Sequence, residues 1–116
     1  PGPMESQFMD LQLIDQACVL GSKYLQPFIV VVLSESDKKR SKSELEKELS
    51  LALNEVNKHQ MNYQKLKKII IAKEEWTLDN DLLTPSLKIK RNKIADKYET
   101  QLAELYHKDS LVEWEA

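Results

Sequence analysis

Two short apolar runs, IDQACVLG at residues 14–21 and PFIVVVL at 27–33, are separated by SKYLQ, a gap of the length that closes a hairpin. They predict a pair of strands. The second run is apolar at every position from Phe28 to Leu33 instead of alternating, so it is expected to be covered on both faces and to lie centrally in a sheet. Helices must then supply the cover. In KSELEKELSLALNEVNK (42–58), Leu45, Leu49, Leu53 and Val56 recur on one helical face while Glu46, Lys47 and Glu48 look outward. Ser43 followed by Glu46 fits a capping box at its start. The β-branched Ile69, Ile70 and Ile71 predict a third strand, since the run is too short for a helix. Asn80, Asp81 and Pro85 then mark a turn region, after which Ile94, Tyr98, Leu102 and Leu105 repeat at helical spacing. At the front, PMESQFMD is expected to form one or two helical turns, with Glu5 favoured by the helix dipole. The expected fold is α+β: a small three-stranded sheet packed with two amphipathic helices and a short N-terminal helix.

Composition narrows the class. A length of 116 residues corresponds to one domain with a single core, spanning 1–116. Lys plus Arg number 17 against 19 Asp plus Glu, so no global field attracts polyanions. That argues against a dedicated nucleic-acid binder. Cys18 is the one cysteine, the longest apolar run is far short of a membrane span, and PGPMESQFMD lacks the basic start and apolar stretch of a secretory signal. A cytoplasmic, reducing compartment is therefore expected, with membrane contact at most peripheral. The opening PGP, without an initiator methionine, reads as part of something longer.

Few residues carry a chemical signal. His59 and His107 have no His or Cys at i, i+3 or i+4, so no metal site is expected. Cys18 falls inside a predicted strand, where a small buried hydrophobe is the ordinary role. Trp76 and Trp114 are not interleaved with basic residues and read as packing. The densest basic stretch, LLTPSLKIKRNKI at 82–94, is different. If it is extended, Lys88 and Lys90 point one way while Leu87 and Ile89 point the other and anchor the loop. Arg91, Lys93 and Lys97 then sit in the first turns of the last helix, against its dipole, where each wants an anionic partner. That partner is either a carboxylate of the same chain or a phosphate brought by a ligand.

Those residues resemble a family. LDNDLLTPSLKIKRNKIADKY is similar to the C-terminal end of the AMP-forming acyl-CoA synthetases of the long-chain fatty acid type, and more widely to the SGKIxR ending of adenylate-forming enzymes, with Ser86, Leu87, Lys88, Ile89, Lys90 and Arg91 in register. The front of the chain is similar to the family's PxxIExxL, IxxAxVxG and PxAxVV segments, which follow the hinge between two domains. Leu87 stands where the wider superfamily has glycine and the long-chain branch has leucine; Asp81 stands where glycine is common. The resemblance implies a C-terminal lid whose large N-terminal adenylation domain and hinge are absent. It places the family's catalytic lysine on Lys88, in contact with ATP and the acyl-adenylate. Arg91 is either structural or adjacent to phosphate. A lysine ammonium between a carboxylate and the α-phosphate stabilises the charge that adenylation brings together. The implied parent uses ATP, Mg2+ and CoA with a fatty acid substrate; the lid rotates between adenylation and thioester formation and is inert alone. The alternative is a stand-alone module binding a polyanion such as RNA through the basic helix start.

Overall fold

The computed structural model describes residues 3–20, 27–60, 65–86, 88–106 and 110–115. The described elements run α1 (Pro3–Met9), β1 (Ile14–Leu20), β2 (Phe28–Leu33), α2 (Lys42–Asn57), β3 (Ile69–Ile71), α3 (Arg91–Tyr106) and β4 (Val112–Trp114). The strands form one sheet in the order β1-β2-β3-β4. β1 and β2 pair antiparallel, as a hairpin requires, whereas β2, β3 and β4 run parallel. The two parallel joins are crossovers, carried by α2 and α3.

All six residues of β2 are buried, and the alternation of a strand divides them between two cores. Phe28, Val30 and Val32 join Cys18, Ile70, Trp76, Leu82, Leu83 and Ile94 on the α3 side. Ile29, Val31 and Leu33 join Phe8, Leu45, Leu49, Leu53, Val56 and Ile71 on the side of α1 and α2. The expectation of a central strand covered on both faces holds because a continuous apolar run has no face left to give to water.

Three local expectations change. Among the described residues the sheet has four strands, not three: Val112, Glu113 and Trp114 pair with Ile69, Ile70 and Ile71. A three-residue parallel edge strand has no detectable period of its own and forms because β3 offers it a ladder. The helix cap is Ser41, two residues before the expected Ser43; its hydroxyl accepts from the Glu44 amide at 3.3 Å. Both serines lie three residues ahead of a glutamate, and Arg40 decides between them by bridging Asp37 before the helix to Glu44 and Glu48 within it. Finally, Glu46 does not simply face water, because its carboxylate accepts from the Trp114 indole at 3.0 Å.

A register irregularity between Ile14 and Gln16 marks a bulge in β1. It lets Ile14 and Ala17, three positions apart, enter the same core. It also turns the Gln16 amide toward the connection after β3, where Oε1 accepts from the Trp76 amide at 2.8 Å and Nε2 donates to the Trp76 carbonyl at 2.9 Å. That clamp seats Trp76 beneath the sheet and begins the path to the candidate site.

Candidate functional site: the Lys88 loop

After Trp76 the chain makes a self-bonded turn. The Thr77 amide donates to Asn80 Oδ1 at 2.9 Å and the Asn80 amide donates to Thr77 Oγ1 at 3.2 Å. Asp81 follows with φ 63°, in the left-handed region. A glycine takes this conformation without cost, and Asp is among the few other residues that tolerate it. The conformation gives a physical reason for the glycine that the family resemblance leads one to expect at this position.

Leu82 and Leu83 then enter the core, and the chain doubles back. The neck of the loop is closed by an antiparallel bridge between Leu83 and Ile89 and by the Lys90 amide donating to the Leu82 carbonyl at 2.9 Å. Its tip is tied by Thr84, whose amide donates to the Lys88 carbonyl at 2.8 Å and whose hydroxyl accepts from the Lys88 amide at 3.0 Å. Ile89 packs against the α3-side core, the anchoring role expected of it. Leu87, the other expected anchor, lies outside the described residues.

The cations of this segment divide sharply. Lys90 donates to Asp81 Oδ1, and Lys93 reaches Asp81 Oδ2 at 3.4 Å. These two lysines hold the Asp81 carboxyl below its ordinary range, the Lys90 hydrogen bond being the larger cause. Arg91 forks onto Glu5, with Nη1 at 2.5 Å from Oε2 and Nη2 at 3.1 Å from Oε1, and Nη1 also donates to the Val19 carbonyl at 2.8 Å. Lys97 also has an interaction. Lys88 is exposed, and among the described residues its ammonium has no ion pair or hydrogen-bond partner. The loop thus displays one uncompensated cation beside three engaged ones.

The expected roles of the remaining candidates can be placed on this frame. Cys18 is fully buried, and burial pushes its thiol up to about 12 even though the Arg91 charge opposes the shift, so it is no nucleophile at neutral pH. Among the described residues no group of His, Cys, Asp and Glu side chains could hold a metal ion. His107, and the side chains of Tyr98, Leu102 and Leu105 expected on the buried face of α3, lie outside the described set; Ile94 and Tyr106 are buried.

Comparison with known proteins supplies the family. Residues 1–110 match the AMP-binding enzyme C-terminal domain. The chain belongs to that family. Within it, the domain is 27% identical over 91% of its length to a long-chain-fatty-acid–[acyl-carrier-protein] ligase of Arabidopsis thaliana chloroplasts, covering 15% of that protein. A 45-residue stretch, 39% of this chain and 7% of the relative, is 40% identical to long-chain-fatty-acid–CoA ligase 5 of Mus musculus. In fold it matches the adenylation domain of a carboxylate reductase from Mycobacterium chelonae, with TM-score 0.77 and 24% identity over 90% of this chain and 17% of that one. The domain spans about a sixth of the length of the relatives that it matches over most of its own sequence.

Two residues of the site escaped the sequence reading. The sequence relates Glu5 only to the dipole of α1, although it stands within the PxxIExxL segment and is buried to 1% exposure, a burial that demands a cationic partner. It relates Asp81 only to a turn. The signal for it was the pair of lysines nine and twelve residues later, but nothing in a linear sequence brings them to one carboxylate.

Proposed function

We propose that this domain is the mobile lid of a long-chain fatty acid CoA ligase and that Lys88 is its catalytic residue. The parent enzyme would join a fatty acid to the α-phosphate of ATP, forming acyl-adenylate and pyrophosphate, and then pass the acyl group to the CoA thiol with release of AMP. In the first step Lys88 would stand between carboxylate and phosphate; in the second the lid would turn and withdraw it. The observation that carries this reading is the solitary charge of Lys88. Lys90, Arg91 and Lys93 are occupied within the chain, so a single ammonium on a pinned loop is presented outward. A compact point charge on a flexible stem suits entry into a cleft of another domain.

The same pairing disfavours a polyanion-binding module, which needs several unpaired cations to release counterions from a nucleic-acid backbone. The described residues offer no cluster fit to hold Mg2+, so that ion would belong to the N-terminal adenylation domain along with the acyl pocket. Among the described residues no helix is long and apolar enough to cross a membrane.

The test uses the full-length enzyme with Lys88→Ala. Acyl-adenylate formation from fatty acid and ATP, read by pyrophosphate exchange, should fall by about 10²–10³, the scale of losing one preorganised stabiliser of transition-state charge. Transfer from preformed acyl-adenylate should persist. Adenylation at a near-normal rate would refute the assignment. Offering CoA and acyl carrier protein in parallel as acceptors separates the CoA reading from the carrier-protein activity that the plant relative's name states.

A further inference from the structure

The fork between Arg91 and Glu5 lies at the end of the arm that carries Lys88, and its geometry gives it a job beyond holding the fold. Between Lys88 and Arg91 there are two residues, and both are held. Ile89 is bridged to Leu83, and Lys90 bonds the Leu82 carbonyl through its amide and Asp81 through its side chain. Arg91 is the first residue of α3, and its guanidinium crosses to three other places: the Glu5 carboxylate on α1, the Val19 carbonyl on β1, and Cys18 Sγ at 3.3 Å. Glu5 Oε2 in turn accepts from the Val19 amide at 2.5 Å. Both backbone polar groups of Val19 are therefore tied to the same ion pair.

We infer that Arg91 is a positioning residue for Lys88, fixing the start of α3 against α1 and β1 so that the lysine keeps one place relative to the rigid body of the domain. The inference rests on the proposed role of Lys88. The alternative role for Arg91, contact with a ligand phosphate, meets an obstacle in the geometry of the fork: Nη1 is shared among Glu5, Val19 and Cys18 and one N–H of Nη2 is held by the second Glu5 oxygen, so a bidentate grip on a phosphate through the Nη1–Nη2 edge would displace these partners. Turning the group toward a phosphate would leave a carboxylate buried without this partner, a costly state.

A rigid anchor matters because the lysine must arrive in register after a rotation of the whole domain. A displacement of about 1 Å at a reacting group costs on the order of 10²-fold in rate. Without the fork, α3 would remain attached through Ile94 in the core and through Lys93 to Asp81, but its first turn and the arm before it would lose their tie to α1 and β1.

The experiment compares Arg91→Lys, Glu5→Gln and Lys88→Ala in the full-length enzyme, measuring pyrophosphate exchange, thioester formation from preformed acyl-adenylate, and thermal unfolding. Lysine keeps the charge but cannot fork to two oxygens. Arg91→Lys is expected to lower kcat for adenylation about tenfold to a hundredfold, leaving KM for ATP and the second half-reaction within about twofold. Glu5→Gln, which keeps the shape and one acceptor, should give the same split more weakly and serves if Arg91→Lys lowers the melting temperature severely. A raised KM for ATP with kcat retained would instead make Arg91 a phosphate contact, and equal losses in both half-reactions would make it merely structural; either overturns the inference. Adenylation that survives Lys88→Ala would fell the functional reading itself. Loss in Lys88→Ala with full activity in both Arg91→Lys and Glu5→Gln would fell this inference alone.

Discussion

Lys90 donates to Asp81 across the neck of the loop, and this one ion pair does two things at once. It occupies the lysine nearest to Lys88 in the direction of α3, and it holds a residue with φ 63° in a conformation that side chains ordinarily avoid. Lys93 adds a second cation to the same carboxylate from the first turn of α3. The unfavourable placement of basic residues at a helix start is thereby answered within the chain.

The backbone of Asp81 can be tested apart from its charge. Asp81→Gly and Asp81→Ala both remove the carboxylate, but only glycine takes the left-handed region without a Cβ clash. Denaturant unfolding of the two variants should give a folding equilibrium constant about tenfold lower for the alanine form. Equal values would mean that the turn relaxes to another conformation.

The charge has its own readout. Asp81 titrates below the ordinary carboxylate range because of Lys90 first and Lys93 second. A lowered native pKa contributes stability above the unfolded-state value and loses it as pH falls through the native one. Carbon-detected NMR of the Asp81 carboxyl should therefore show a depressed midpoint that Lys90→Gln moves upward more than Lys93→Gln does.

Cys18 is expected to resist thiol reagents. Its native pKa is raised from 9.0 to about 12 by burial, so the thiol stays protonated throughout the neutral range. A disulfide-exchange reagent at pH 8 should react only on unfolding, with a rate that rises with denaturant. By the same linkage the thiol's contribution to stability is complete below about 9 and is withdrawn as pH climbs from there toward 12. Rapid labelling of the native protein would contradict this placement.

The Gln16 amide is the fastening of the segment that leads to the loop. Gln16→Ala strips partners from both the amide and the carbonyl of Trp76, and unmade bonds of this kind cost about 1–3 kcal/mol each. In a Trp114→Phe background, the remaining tryptophan emission should shift to the red as Trp76 loosens. Unchanged stability and emission would show that packing alone seats the indole.

The α2 face offers a calibrated core test. Leu49 is fully buried between α2 and the sheet, and Leu49→Ala should lower unfolding free energy by about 2–5 kcal/mol. Leu51 on the same helix is 61% exposed, and its alanine variant should stay within about 0.5 kcal/mol of the parent.

The elements that repeat were legible in the chain. The unbroken apolar run of β2, the Leu45, Leu49, Leu53 and Val56 face of α2, and the short Ile69–Ile71 strand all follow from burial that recurs every two or every 3.6 residues, a property of neighbours. The Lys88 loop was legible for another reason: its motif is contiguous. What only the tertiary structure decided were choices among equivalent partners. With 17 basic and 19 acidic side chains, no linear rule pairs Arg91 with Glu5, 86 positions away, or Gln16 with Trp76, 60 positions away. The same holds for β4, which is three residues long and exists by virtue of an edge that β3 leaves open. Local periodicity specifies which side of an element is buried. Which charges meet, and so which of the described cations between Lys88 and Lys93 is left without a partner, depends on distances that exist only once two cores have closed on one sheet.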